Sequence, residues 1–313
     1  MNKDLLRLLD LTGRDILALV SSGRAWKRKW GGGGTPHPLA GKSLAMVFQK
    51  ASTRTRVSFE VGMTRLGGHA LFLSPADTQI GRGEPVRDTA RVLSRYTDGI
   101  MIRTFSHAIA EEMAAAASVP VINGLTDDHH PCQVLADLMT AQERGLDLHK
   151  MRVAFVGDGN NVAHSWVESA HLLGFTLRVA CPKGYAPSAK IRREAEAAGK
   201  GDVRVLRDPV EAARGADILY TDVWTSMGQE KEKRKRLAAF REYRIDEDLL
   251  RVAGKRAIVM HCLPAHRGEE ITDEVIEGPR SAVFDEAENR LHVQMAILEK
   301  FIPHGPAGGG RRG

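Results

Sequence analysis

Short apolar runs alternate with amphipathic stretches along this chain. Nine runs of four or five residues read as buried strands: 44–48, 70–73, 99–102 and 119–122, then 152–156, 176–180, 203–206, 218–221 and 257–260. Between them lie helix-length segments, among them 57–66, 86–96, 107–117, 134–143 and 162–173. Within 134–143 the apolar positions Val134, Leu135, Leu138 and Met139 fall on one helical face. Strand–helix alternation predicts parallel sheets covered by helices on both faces. The expected fold is therefore α/β, with two domains, each a mostly parallel sheet flanked by helices.

The two sets of strands are separated by a polar stretch at 141–150, and the domain boundary is expected there. A last amphipathic helix is expected over 286–301, long enough to pack back on either half. The glycines at 31–34 and the terminal Gly-Pro-Ala-Gly-Gly-Gly-Arg-Arg-Gly offer nothing to bury and are expected to be mobile.

At 313 residues with 42% hydrophobic positions, the chain can build two sizeable cores, which excludes a mostly disordered protein. No window resembles a membrane span, and the start lacks the features of a signal peptide. Cys132, Cys181 and Cys262 are too few and scattered for a disulfide framework, so a reducing cytoplasm is expected. The formal charge of +6 suits an anionic small molecule. Nucleic acid is disfavoured, because the positive charge is dispersed and only 5% of residues are aromatic. The one basic run, Lys231 to Arg236, is read as a solvated helix face.

In open parallel sheets, ligands bind beyond the carboxyl ends of the strands. Polar, chemically able residues recur at those positions. After the first strand comes Ser52-Thr53-Arg54-Thr55-Arg56, where a helix start supplies free N–H groups and the arginines can grip phosphate oxygens. Arg103 ends the third strand. His130-Pro131-Cys132-Gln133 opens a helix, with His130 and Gln133 three apart and able to meet one ligand. Gly157-Asp158-Gly159-Asn160-Asn161 follows the fifth strand, Asp222 to Gly228 the eighth, and His261-Cys262-Leu263-Pro264 the ninth.

Several competing readings lose ground. Gly157-x-Gly159 lacks the third glycine and the later acid of a dinucleotide fingerprint. Gly41-Lys42-Ser43 has Pro36 where a P-loop needs glycine. His129, His130 and Cys132 lack the paired spacing of structural zinc.

Taken together, these strings resemble the ornithine branch of the aspartate/ornithine carbamoyltransferase family. The match also includes Asp88-Thr89-Ala90-Arg91-Val92-Leu93 and Ala287-Glu288-Asn289-Arg290, and it runs in order from about residue 40 to 300. The Ser-Met-Gly string at 226–228 separates the chain from the aspartate branch. The resemblance implies a carbamoyl-phosphate-binding domain at 1–140, with a C-terminal helix at 286–302 packing back on it, and an ornithine-binding domain at 150–285. It implies a homotrimer, or a multiple of trimers, that uses no cofactor or metal. Its partners would be carbamoyl phosphate and L-ornithine, with no nucleic acid and no membrane.

Carried over by position, Ser52, Thr53, Arg54 and Thr55 would hold phosphate, and Gln79 would reach in from a neighbouring subunit. Arg103, His130 and Thr55 would polarise the carbamoyl carbonyl, Gln133 would meet its amide, and Arg290 would complete the clamp. Asn161, Asp222, Ser226 and Met227 would bind ornithine, with Cys262 and the Leu263 backbone beside the attacking amine. The implied catalytic residues are Arg103, His130 and Cys262. Two features depart from the pattern: the short Ala265-His266-Arg267-Gly268 loop, and Gln79, at a position where members vary. A carbamoyltransferase acting on another amine, such as putrescine or an acylated ornithine, is the competing activity.

Overall fold

The computed structural model of the chain describes residues 2–30, 36–76, 78, 80, 83–226, 228 and 230–303. The stretch 31–34, the tail from 304, Gln79 and Met227 lie outside the described residues. The chain divides into two compact units: Met1–Leu135 with Asn289–Gly313, and Ala136–Glu288. The divisions between these units fall inside two helices, Pro131–Glu143 and Val283–Phe301.

In chain order the first unit holds α1 (Gly13–Trp30), β1 (Ser43–Phe48), α2 (Thr53–Arg65), β2 (His69–Leu73), α3 (Val86–Tyr96), β3 (Gly99–Arg103), α4 (His107–Ala116) and β4 (Val121–Leu125). The helix α5 (Pro131–Glu143) follows. The four strands are parallel, in the order β2-β1-β3-β4. Strands β1 and β3 are buried almost throughout, as expected of strands covered on both faces. Their side chains Ala45, Val47, Ile100 and Ile102 pack with Ala90, Ala110 and Met113 of the flanking helices.

The second unit continues with β5 (Arg152–Val156), α6 (Asn161–Leu173), β6 (Thr176–Ala180), α7 (Ala189–Ala198), β7 (Asp202–Leu206), α8 (Pro209–Ala213) and β8 (Ile218–Thr221). After these come α9 (Lys233–Phe240), α10 (Glu247–Val252), β9 (Ile258–His261), α11 (Asp273–Ile276) and α12 (Val283–Phe301). The five strands are again parallel, ordered β7-β6-β5-β8-β9.

From Asn289 onward α12 belongs to the first unit, as expected for a returning C-terminal helix. It lies close on α2 at Gly62, where an added Cβ would come within 3.3 Å of Met295. Both sheets reverse their winding once, between β1 and β3 and between β5 and β8. Such switch points leave a crevice at the strand ends. The residues after β1, β3, β5 and β8 are therefore the ones the topology offers to a ligand.

Candidate functional site

In the first unit, the end of β1 runs into α2 through Ser52. Ser52 caps the helix, its Oγ accepting from the Thr55 N–H at 3.2 Å, so the helix opens with the positive end of its dipole at the switch point. The loop before it is fixed by Lys50, buried in an ion pair with Asp127 and stacked over Phe105. The sequence reading passed over Lys50.

Thr55 is the centre of this half. Its hydroxyl accepts from Arg290 at 3.2 Å and lies 3.5 Å from the Arg103 guanidinium. Arg290 also donates to Gln133 Oε1 at 2.6 Å. With the Gln294 amide oxygen turned toward it, Arg290 gains two further acceptor contacts at 3.0 and 3.1 Å. Gln294 is thus a support for the clamp that the sequence reading missed. Arg103, His130, Gln133 and Arg290 are all buried. Burial pushes the His130 imidazole well below its usual range, and Arg290, Arg103 and Arg54 push it further. His130 is therefore a neutral imidazole with one N–H to donate. Cys132 behaves differently: burial drives its thiol up to about 12, and it donates to the Asn123 carbonyl at 3.4 Å. It is an inert core thiol.

In the second unit, Asp222 follows β8. It accepts from the Cys262 thiol at 2.9 Å, from the Val223 N–H at 2.8 Å and from the Asn160 amide at 2.6 Å. Burial raises the Cys262 thiol well above its usual range, and Asp222 raises it further, so sulfur is held as a donor to carboxylate. Asn160 holds Asp222; its oxygen also caps α6 through the Val162 and Ala163 N–H groups. Asn161 is the first residue of the helix and is half-buried. Ser226 is half-buried in the loop beyond Trp224.

The two glycines of the loop after β5 serve packing. A side chain at Gly159 would fall 2.3 Å from the Pro187 nitrogen, and Gly157 has φ +138. His261 stands behind Cys262. Its Nδ1 accepts from the Leu263 N–H at 2.9 Å, so its proton sits on Nε2 and points at Glu270, 3.1 Å away.

Lys231 to Lys235 are exposed, as expected of a solvated face, and only the last residue of the run departs from it. Arg236 at its end is 4% exposed. Its guanidinium pairs with Asp158 and donates to the Trp224 carbonyl, tying the loop after β5 to the loop after β8. Asp158 is raised to about 6, chiefly by burial and against the pull of Arg236.

Two family models cover nearly the whole chain. The carbamoyl-P binding domain of aspartate/ornithine carbamoyltransferase matches residues 3–143, and the Asp/Orn binding domain matches 149–301. The chain belongs to the aspartate/ornithine carbamoyltransferase family. Among curated members it is 57% identical to an ornithine carbamoyltransferase of Methanoculleus marisnigri, over 98% of this chain and 99% of that one. Among solved carbamoyltransferase structures it is 49% identical to that of Pyrococcus furiosus, with TM-score 0.90 and 96% of both chains covered. The Gloeobacter violaceus structure is 51% identical with TM-score 0.86, covering 97% of this chain and 99% of the other.

Proposed function

We propose that the chain transfers the carbamoyl group of carbamoyl phosphate to the δ-amine of L-ornithine, giving L-citrulline and phosphate in arginine metabolism. The observation that carries this reading is the first-unit cradle. There the capped mouth of α2 meets Thr55, Arg103, His130, Gln133 and Arg290. A helix mouth with converging arginines matches a phosphate dianion.

In this scheme Ser52, Thr53, Arg54 and Thr55 grip phosphate and Arg290 closes the clamp. The attacking amine must be neutral, whereas a free alkylammonium titrates near about 10.4. Removal from water disfavours its charged form. Its lone pair forms the C–N bond, and the carbonyl oxygen takes negative charge, stabilised by Arg103, Thr55 and the N–H of neutral His130. The oxyanion collapses, the C–O bond breaks, phosphate leaves with the bonding pair and the nitrogen passes its proton to the departing phosphate. Gln133 orients the carbamoyl amide. Asn161, Asp222, Ser226 and Met227 bind the amino-acid groups, with Cys262 and the Leu263 backbone beside the amine. Much of the acceleration comes from holding the reactants in line. The scheme uses no metal and no cofactor.

A homotrimer, with Gln79 contributed to a neighbour's site, extends the reading. Val57, Leu71, Val92 and Tyr96 are exposed apolar side chains on α2, β2 and α3, and Tyr96 is 75% exposed. Such a surface suits a subunit contact. A cytoplasmic location fits three free cysteines. Among the described residues no helix is long and apolar enough to cross a membrane.

The test is an assay of ureido products from carbamoyl phosphate with L-ornithine, putrescine and N-acetylornithine. L-Ornithine is expected to react fastest. A faster reaction with either alternative would overturn the choice of amine.

A further inference from the structure

A second buried cluster lies behind Asp222 and Cys262, and the scheme above does not use it. Glu286, on the first turns of α12, is wholly buried. One carboxyl oxygen accepts from the backbone N–H of His261 at 2.9 Å, and the other from the Tyr220 hydroxyl at 3.1 Å. Tyr220 lies in β8, two residues before Asp222; His261 ends β9, directly before Cys262. Asp137 of α5, also wholly buried, is hydrogen-bonded to Glu286. One carboxyl group is therefore tied to the ends of both strands that deliver the Asp222–Cys262 pair.

We propose that Glu286, braced by Asp137, is a positioning residue that clamps the ends of β8 and β9 so that Asp222 and Cys262 meet at hydrogen-bond distance. The inference rests on the reading of Asp222 and Cys262 as the amino-acid side of the site.

The charge balance agrees with the geometry. Burial and the adjacent Asp137 push the Glu286 carboxyl well up, so it carries a proton that it can donate to Asp137 while its oxygens still accept. The groups facing the cluster are Tyr220, Asp137, Glu286, Asp222, Cys262 and His261. Burial, Asp137 and Glu286 raise the Tyr220 hydroxyl, so it stays a donor. Glutamine has the shape of a protonated glutamate but a single acceptor oxygen. In Glu286→Gln that oxygen can keep the His261 N–H while the NH2 donates to the Tyr220 oxygen, reversing that bond, so both ties are expected to persist, and Glu286→Ala should release them.

The test compares both variants with the parent by steady-state kinetics and by iodoacetamide alkylation across pH. Cys132 and Cys181 are buried and Cys262 is half-buried, so alkylation reports on Cys262. In Glu286→Ala the ornithine KM is expected to rise about tenfold or more, with the carbamoyl phosphate KM within about twofold, because small misplacements of site groups are costly. Alkylation at a fixed pH is expected to quicken about tenfold as the thiol loses its hold on Asp222, each unit of thiol pKa being worth about a factor of ten in thiolate. Glu286→Gln is expected to restore most of both.

A folded Glu286→Ala with parent ornithine KM and parent alkylation profile overturns the proposal, as does a Glu286→Gln no better than alanine. If the alanine variant is not recovered folded, Tyr220→Phe removes one tie. It is expected to raise ornithine KM and alkylation rate about threefold, for the loss of about one net hydrogen bond, and parent values on both overturn the clamp. If Asp222→Asn and Cys262→Ser keep parent kinetics while alkylation still quickens in Glu286→Ala, the clamp stands and the reading of that pair as a substrate site fails.

Discussion

Arg290 donates to the Thr55 hydroxyl at 3.2 Å, joining residues 235 positions apart in the chain. The contact brings the C-terminal helix to the mouth of α2, the reason the anion cradle needs both ends of the sequence. Replacing Arg290 with Gln removes a charged donor and strands buried acceptors on Thr55 and Gln133. The carbamoyl phosphate KM is expected to rise on the order of 10- to 100-fold, and stability to fall by about 1–3 kcal/mol. Initial-rate kinetics and urea unfolding read both. A parent-like KM would remove Arg290 from the clamp.

If His130 donates to the oxyanion as proposed, His130→Ala is expected to lower kcat on the order of 10²- to 10³-fold. The same histidine shapes acid stability. Its folded pKa lies well below the unfolded value of 6.5, so the unfolded chain binds more protons and stability falls as pH drops below 6.5. Replacing it should flatten that part of the stability profile, measured by denaturant unfolding at a series of pH values. An unaltered slope would mean that His130 is not held neutral.

Asp222→Asn keeps the shape but weakens the acceptor that Cys262 and Asn160 share. A rise in ornithine KM on the order of 10-fold is expected, with carbamoyl phosphate KM nearly unchanged. Equal losses for both substrates would place Asp222 outside a dedicated amino-acid site.

Asp158 gives an acid-limb prediction. Its carboxyl is raised from 3.8 to about 6, so it protonates as pH falls through about 6 and loosens its grip on Arg236. The loop carrying Trp224 then loosens, and ornithine KM is expected to rise below about pH 6. The stability sign is opposite. The folded form binds its proton more tightly than the unfolded chain, so this group's contribution is complete below about 3.8 and lost as pH rises through about 6. Asp158→Asn should remove the rise in ornithine KM below about pH 6 and this group's share of the pH dependence of stability. Profiles identical to the parent's would contradict the assignment.

Much of this architecture is legible in the sequence, because parallel strands buried on both faces must be continuous apolar runs. All nine expected runs fall on strands, the fourth displaced from 119–122 to Val121–Leu125, and α3 occupies 86–96 as read. α1 was missed. Its buried Ile16, Leu19, Val20 and Trp26 are diluted by Ser21-Ser22-Gly23 in the middle of the helix. Chemistry at strand ends was legible as residue type but not as pairing. That Asn160 both caps α6 and reaches Asp222 depends on where the helix begins, a one-residue question of helix onset. Arg236 reads as one more charge in a basic run; only the fold brings it to Asp158, 78 residues away. The support of Gln294 and Glu286 is equally hidden, since both are ordinary helix residues until α12 is docked.

The most direct test of the anion cradle is calorimetric titration of carbamoyl phosphate into the parent and into Arg54→Ala, without amino acid. The account predicts saturable binding in the parent and its loss, by on the order of 10- to 100-fold in affinity, in the variant. Equal affinity in the two proteins would contradict it.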